Sequence, residues 1–252
     1  MKIRRKPPKL SRTGRPLYVL GYHGTPPAPA ELQTWFDLEY GGPLRLKDGN
    51  LLVVTHGPWD AAMQITLPAA DAEHWKTVLG WEHPHAGWVM PVTGSPGRNP
   101  DLILHAARLA RGMTLLTDGT AYDVVSSVYL NPSDWNDRPL GQFLAADHVT
   151  VVQTESADPE KEWFHTKGLA KFGLEELETF RPKGLPGRAT LDTLADIAAA
   201  FLLGGRAPKV GGMVALPELG LSVSVVNHRT ASPSDPPLTL REIVWEPLEG
   251  RP

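Results

Sequence analysis

Proline and glycine interrupt this chain so often that only short regular elements can form between them. The 252 residues include 25 prolines and 24 glycines, about one residue in five. That share lies below the roughly 25–30% that is typical of low-complexity disorder. Hydrophobic residues make up 41% of the chain, which is enough for a substantial core. We therefore expect a folded protein in which many turns connect short strands and helices.

The order of the apolar runs in the first part of the chain predicts an α+β arrangement. A strand and a helix are followed by further strands, a second helix and another strand. This order gives the N-terminal half a ferredoxin-like character. The predicted elements lie near Leu17–Tyr22, Ala30–Glu39, Leu44–Lys47, Leu51–Thr55, Met63–Leu67, Ala70–Leu79 and Trp88–Val92.

The signals of helix ends are clearest between Asn99 and Gly112. Asn99 suits the N-cap, and Gly112 suits the position just after the last turn. His105 falls on the polar face of this helix, opposite its apolar stripe. Asp118-Gly119 then predicts a hairpin between strands at Thr114–Thr117 and Ala121–Leu130. Later elements are predicted as strands and one helix, at Val149–Thr154, Trp163–Thr166, Leu191–Leu203 (the helix), Met213–Leu216, Leu221–Asn227 and Arg241–Trp245. Pro217–Gly220 predicts a hairpin turn between the two strands that flank it.

The predicted fold is α+β, with mixed or mostly antiparallel sheets and three to four helices. We divide the chain into a basic flexible arm (1–16), an N-terminal lobe (17–148) and a C-terminal lobe (149–252), and the two lobes can also form one compact domain. No run of about 18 apolar residues is present, so we expect no membrane span. The chain has no cysteine, which excludes disulfides and thiolate metal sites and fits a cytoplasmic protein.

Basic residues are concentrated at the N-terminus, where no acidic residue interrupts them. A block of like charges repels itself and is most simply a solvated tail, although it can also contact nucleic acid. The rest of the chain is acidic, which argues against a broad nucleic-acid surface. The basic residues of the arm are Lys2, Arg4, Arg5, Lys6, Lys9, Arg12 and Arg15.

Histidines provide the candidates for a metal site. His83 and His85 are separated by one residue, so in an extended segment both imidazoles point the same way and can reach one ion, with His74 or Glu82 as a third ligand. The alternative is an aromatic-rich loop that covers a core, because Trp81 and Trp88 flank the pair.

A second histidine is the candidate for acid–base catalysis. His165 lies near Glu162 and Lys167, and a catalytic histidine needs a carboxylate that orients it. In a strand, however, His165 shares a face with Trp163, which favours an aromatic-packed histidine. Walker A, GxGxxG and HExxH patterns are missing, so we expect no cofactor.

The run from Trp163 to Glu178 reads Trp-Phe-His-Thr-Lys-Gly-Leu-Ala-Lys-Phe-Gly-Leu-Glu-Glu-Leu-Glu. This H-T-x-G-L-x-x-F-G-x-x-E-L-E pattern resembles segments of uncharacterised bacterial proteins in the domain-of-unknown-function families. The resemblance implies a stand-alone bacterial α+β protein, and some similar families are thought to act as immunity or interaction proteins. It transfers no catalytic residue. Within the run, Gly168 and Gly173 allow tight backbone turns.

The same run predicts a charged strip on the surface, which is either a contact site or an ordinary solvated face. Its members are Lys167, Lys171, Glu175, Glu176 and Glu178. Our leading hypothesis is a non-enzymatic protein that binds another protein through this strip. A hydrolase that uses the histidines with carboxylates or a metal is the alternative, and nucleic-acid binding through the arm is the third.

Overall fold

A computed structural model of the chain describes residues 16–22, 27–47, 52–56, 59–63, 88–94, 99–204, 207–231 and 238–248. The chain divides into two compact units, Met1–Phe143 and Leu144–Pro252. This division assigns residues 144–148 to the second unit, whereas the predicted lobes met at 148/149. The helix predicted at 70–79 and the turn pair Asp48-Gly49 lie outside the described residues.

The first unit contains a seven-stranded sheet in the order β2-β3-β4-β5-β1-β6-β7, in which every neighbouring pair is antiparallel. All six residues of β1 are buried, and β1 lies in the sheet between β5 and β6. The ferredoxin-like character stays a prediction. The strands are β1 (Leu17–Tyr22), β2 (Arg45–Lys47), β3 (Leu52–His56), β4 (Trp59–Met63), β5 (Trp88–Gly94), β6 (Thr120–Asp123) and β7 (Val128–Leu130).

Among the described residues of this unit, three helices accompany the sheet: α1 (Pro29–Tyr40), α2 (Pro100–Thr117) and α3 (Pro132–Asn136). The prediction that α2 ends at Gly112 is wrong, because the helix continues through the supposed strand Thr114–Thr117. Gly112 instead lets α1 approach closely, since a Cβ atom there would lie 2.6 Å from the ring of Trp35. Tertiary packing thus overrides the low helix propensity of glycine.

The end of α2 corrects the predicted hairpin as well. Asp118 adopts the left-handed conformation (φ 50°) and its N–H donates to Thr114 O, so this residue is a helix C-cap and not a hairpin turn. The hairpin that follows joins β6 to β7. Its turn is held by Asp123, whose buried carboxylate accepts hydrogen bonds from the N–H groups of Val125 and Ser126, both at 3.1 Å.

The second unit contains a six-stranded sheet in the order β11-β12-β13-β10-β9-β8. All neighbours are antiparallel except β10 and β13, which are parallel. The predicted hairpin around residues 217–220 is confirmed as the connection between β11 and β12. The strands are β8 (Thr150–Glu155), β9 (Lys161–Lys167), β10 (Glu176–Pro182), β11 (Met213–Leu216), β12 (Leu221–Ala231) and β13 (Leu238–Pro247).

Helix α4 (Gly187–Leu203) packs against β8 and β9. We call one face of this sheet the inner face, because it carries fully buried apolar residues: Phe164, Leu177, Val223, Val225 and Ile243. The outer face carries the residues that alternate with these. With four α-helices in the described residues and largely antiparallel sheets, the predicted α+β class is confirmed. In the part of the chain that the structure describes, no helix is long and apolar enough to cross a membrane.

Candidate binding site

The run from Trp163 to Glu178 folds into β9, a tight turn and the start of β10, and a buried carboxylate closes the turn. Glu176 accepts hydrogen bonds from the Thr166 hydroxyl at 2.7 Å and from the N–H groups of Gly168, Leu169 and Ala170 at 2.9, 3.3 and 3.1 Å. Gly168 permits this loop because its φ is 121°, a value that favours glycine. Burial raises the pKa of Glu176, and the four donors oppose that shift. This carboxylate therefore holds the turn together.

The expectation of an exposed charged strip is wrong for three of its five members. Lys171, Glu176 and Glu178 are buried, with at most 1% of their surface exposed. Lys171 donates a hydrogen bond from Nζ to the backbone oxygen of His148 at 2.8 Å. Glu176 lies inside the turn that it closes, and Glu178 is covered by Trp163 and Arg229, which both donate hydrogen bonds to it. Lys167 remains partly exposed.

Glu175, the fifth member of the strip, belongs to a partly exposed ion-pair cluster. Its carboxylate accepts from Nε2 of His228 at 2.8 Å and from the guanidinium of Arg241. Partial burial disfavours ionisation of Glu175, but the hydrogen bonds from Arg241 and His228 outweigh burial and lower the pKa of this carboxyl. Arg241 also donates to the backbone oxygen of Pro208, so the cluster joins β13 to the segment before β11.

Glu178 anchors an arginine and a tryptophan on the outer face. The guanidinium of Arg229 donates to both carboxylate oxygens, from Nε at 2.7 Å and from Nη2 at 2.5 Å, and Nε1 of Trp163 donates to Oε2 at 2.7 Å. These hydrogen bonds from Arg229 to Glu178 raise the pKa of Arg229. The guanidinium also lies 5.1 Å from the ring centre of Trp163 and 5.8 Å from that of Phe180. We call these four residues the Arg229 clamp.

A cavity of about 470 Å³ opens beside the Arg229 clamp. Because Glu178 is fully buried while the Arg229 side chain is 38% exposed, the clamp presents a fixed guanidinium and two aromatic rings to this cavity. Its lining comprises Glu155, Ser156, Ala157, Asp158, Lys161, Trp163, Phe180, Arg229 and Glu242.

A row of outer-face residues crosses all six strands at the level of this cavity. Thr154 pairs with Trp163 and Trp163 with Phe180, while Val244 pairs with Ser224 and Ser224 with Met213. Glu178 and Glu242 are paired across the parallel strands β10 and β13. Phe180 and Val244 each follow two residues later, so they are neighbours and connect the two halves of the row. Met213 is 72% exposed and Val244 44% exposed. We call these six residues the outer row.

The catalytic candidates do not form an acid–base pair. Glu162 and His165 are three residues apart on β9, so their side chains point to opposite faces of the sheet. His165 stacks on Trp163 with ring centres 3.9 Å apart, as its position in the strand predicted. Burial, together with nearby Lys167 and Arg229, lowers the pKa of His165 to about 4. The imidazole is thus neutral at pH 7 and a weak base.

The remaining candidates lie outside the described residues. These are the metal candidates His74, His83 and His85 and the basic residues of the arm, Lys2, Arg4, Arg5, Lys6, Lys9, Arg12 and Arg15. Within the described ranges no group of three or more histidine and carboxylate side chains is arranged to hold a metal ion.

One further histidine is buried in the first unit. His105 was expected on the polar face of α2, but it is only 1% exposed and packs edge-on against Phe36, with ring centres 5.6 Å apart. Neither of its ring nitrogens has a hydrogen-bond partner among the described residues. Burial, with His56 and Arg108 nearby, lowers the pKa of His105 to about 3.

Sequence reasoning missed Arg229, Phe180, Val244 and Met213. No local pattern marks Arg229, because its partner Glu178 is 51 positions away in the chain. The strand that contains Arg229 was also predicted to end at Asn227, whereas β12 continues to Ala231. No family model, curated protein or solved structure shows a significant match to this chain.

Proposed function

We propose that this protein is a non-enzymatic binding protein whose partner is another protein, and that the partner docks on the outer face of the second unit. The observation that carries this proposal is the Arg229 clamp. It holds an arginine and two aromatic side chains beside a cavity, and arginine and aromatic residues are enriched at the energetic centres of protein interfaces.

The clamp supports binding because its parts are ordered before a partner arrives. The bidentate ion pair with Glu178 and the two ring contacts restrict the guanidinium of Arg229, which leaves less side-chain entropy to lose on association. Trp163 is restricted in the same way, since its N–H is bonded to Glu178 and its ring stacks on His165.

The dimensions of the outer row favour a protein partner over a small molecule. Neighbouring strands are about 4.8 Å apart, so a row across six strands spans about 24 Å. Two apolar members of the row on the side away from β8, Val244 on β13 and Met213 on β11, are well exposed. A contact surface of that length suits a protein, whereas a small ligand occupies one cavity.

The proposal is tested by placing a photo-crosslinking amino acid at position 213 and, in a separate protein, at position 203. Leu203 is a matched control, because it is 74% exposed, is in the same unit and lies on α4 instead of the outer row. We expect one protein to be captured from position 213 and not from position 203.

The captured protein is then purified and titrated against the variants Met213→Glu, Val244→Glu and Leu203→Glu. We expect the two outer-row variants to weaken binding at least tenfold, because a buried unpaired carboxylate opposes association, and we expect Leu203→Glu to have no effect. Equal capture from both positions would contradict the proposal, as would turnover of a substrate by the pure protein together with the absence of a stoichiometric partner.

A further inference from the structure

Strand β8 forms one edge of the sheet in the second unit. Among the described residues, Thr150–Glu155 makes backbone hydrogen bonds to β9 alone. Every second residue of an edge strand points its N–H and C=O groups away from the sheet, where they can pair with another chain. The second half of β8 is exposed to solvent.

Two cavities adjoin the exposed end of β8. The first is the cavity of about 470 Å³ beside the Arg229 clamp, on the outer face. The second has a volume of about 510 Å³ and reaches the inner face, because Gln153 and Glu162 line it. Glu155 lines both cavities, so they meet at the edge of the sheet.

Both cavities are lined by carboxylates that form no hydrogen-bonded ion pair within the described part of the chain. At the outer cavity, Asp158 pairs with Lys161 at 3.3 Å and Arg229 pairs with Glu178. Glu155 and Glu242 form no hydrogen-bonded ion pair with any described residue, although Glu242 lies near enough to Arg229 to help raise the pKa of that guanidinium. In the inner cavity, Oε2 of Glu162 is buried and has no hydrogen-bond partner in the part of the chain described. Lys183 also lines the inner cavity and forms no ion pair with a described residue. The three carboxylates Glu155, Glu162 and Glu242 still outnumber this one free lysine, so a basic side chain in each cavity would compensate the remaining charge.

We propose that β8 binds an extended basic segment of the partner protein by β-strand addition. The added strand pairs with the free backbone groups of β8, and it places one basic side chain in each cavity. Successive side chains of a strand point to opposite faces, so the two basic residues must be separated by an odd number of positions. This proposal rests on the proposed function and specifies the chemistry of the partner.

The test uses the full-length protein and two fluorescent peptides of about nine residues, a length that covers one strand. Both peptides have the same composition, rich in threonine and valine, with two arginines. In one peptide the arginines are three positions apart, and in the other they are two apart. We expect at least tenfold tighter binding of the first peptide in a fluorescence anisotropy titration.

Two controls separate strand addition from simple charge attraction. Alternate backbone nitrogens of the tighter peptide can be N-methylated in two phases, on the odd or on the even positions. One phase should abolish binding and the other should spare it, because only alternate N–H groups face β8. Glu162→Gln and Glu242→Gln should each weaken binding at least fivefold. Glu246→Gln should leave it unchanged, since Glu246 is exposed on β13 and lines neither cavity.

Equal affinity of the two peptides, equal effects of both methylation phases, or failure of the first peptide to bind would overturn the strand-addition proposal. None of these results would affect the proposed function, which is tested by crosslinking at position 213. Conversely, phase-dependent peptide binding without capture at position 213 would support β8 as a docking edge and remove the outer row.

Discussion

Removing one or the other charge of the ion pair between Glu178 and Arg229 should destabilise the protein to different degrees, because the two side chains are unequally buried. Glu178 is fully buried, whereas the Arg229 side chain is 38% exposed. Removing the arginine charge leaves a carboxylate that water cannot reach. Removing the glutamate charge leaves a guanidinium that water still solvates. Arg229→Met should therefore destabilise the second unit more than Glu178→Gln does.

The magnitudes follow from the contacts. Removing one partner of a buried pair costs about 3–5 kcal/mol, and we expect the lower end for Arg229→Met because Trp163 still donates to Glu178. Glu178→Gln replaces a charge-assisted hydrogen bond with a neutral one and keeps the side chain's shape, so we expect about 1–2 kcal/mol. In the Arg229→Met background, Glu178→Gln should be neutral or stabilising, because it removes the unpaired charge.

The assay is hydrogen–deuterium exchange of peptides that cover β9 and β10, combined with urea unfolding followed by tryptophan fluorescence. The control is the exposed pair Arg188–Asp192, whose side chains are 84% and 55% exposed. There, Arg188→Met should cost less than about 0.5 kcal/mol. Additive effects of the two clamp variants, or equal effects of each alone, would refute the argument from burial.

Three further predictions concern buried groups elsewhere. Glu176→Ala should lower the free energy of unfolding by at least about 3 kcal/mol in urea titrations, because four donors, three of them buried, lose their acceptor. Glu175→Ala should cost less than about 1 kcal/mol, since its ion pairs are partly exposed. Gly112→Ala should destabilise the first unit by about 1–3 kcal/mol through overlap with Trp35, despite the higher helix propensity of alanine, and a more stable variant would disprove that contact. Folding lowers the pKa of His105 from 6.5 to about 3, so as the pH falls the unfolded chain takes up the proton before the folded protein does. The folded state therefore has its full stability with respect to this group above pH 6.5, and it loses stability as the pH falls toward 3. Urea unfolding should show about 2 kcal/mol less stability from this group at pH 5 than at pH 7.5, and His105→Phe should remove that part of the pH dependence.

Elements whose signals are local were predicted well. Residues 17–22 form the buried strand β1, and the hairpin between β11 and β12 lies where Pro217–Gly220 indicated a turn. The packing of His165 against Trp163 also followed from alternation along one strand. Each of these features depends on residues close together in the chain.

Elements whose outcome depends on distant residues were predicted poorly. Gly112 was expected to end a helix, yet the helix continues because Trp35 of α1 packs against that glycine. The glutamates of the 163–178 run were expected on the surface. Which of them is solvated depends on the strands beside β10, and no sequence pattern identifies β13 as a neighbour.

The sequence by itself determined the α+β class, most of the strands and the tight turn that Gly168 and Gly173 allow. It also placed a dense group of charges between residues 167 and 178. Only the tertiary structure decided what each charge does: Glu176 binds backbone N–H groups, Glu178 binds Arg229, and Glu175 stays at the surface. The physical reason is that a carboxylate exchanges water for a donor only where the fold brings that donor within hydrogen-bond distance, and here the decisive arginine lies 51 residues away in the chain.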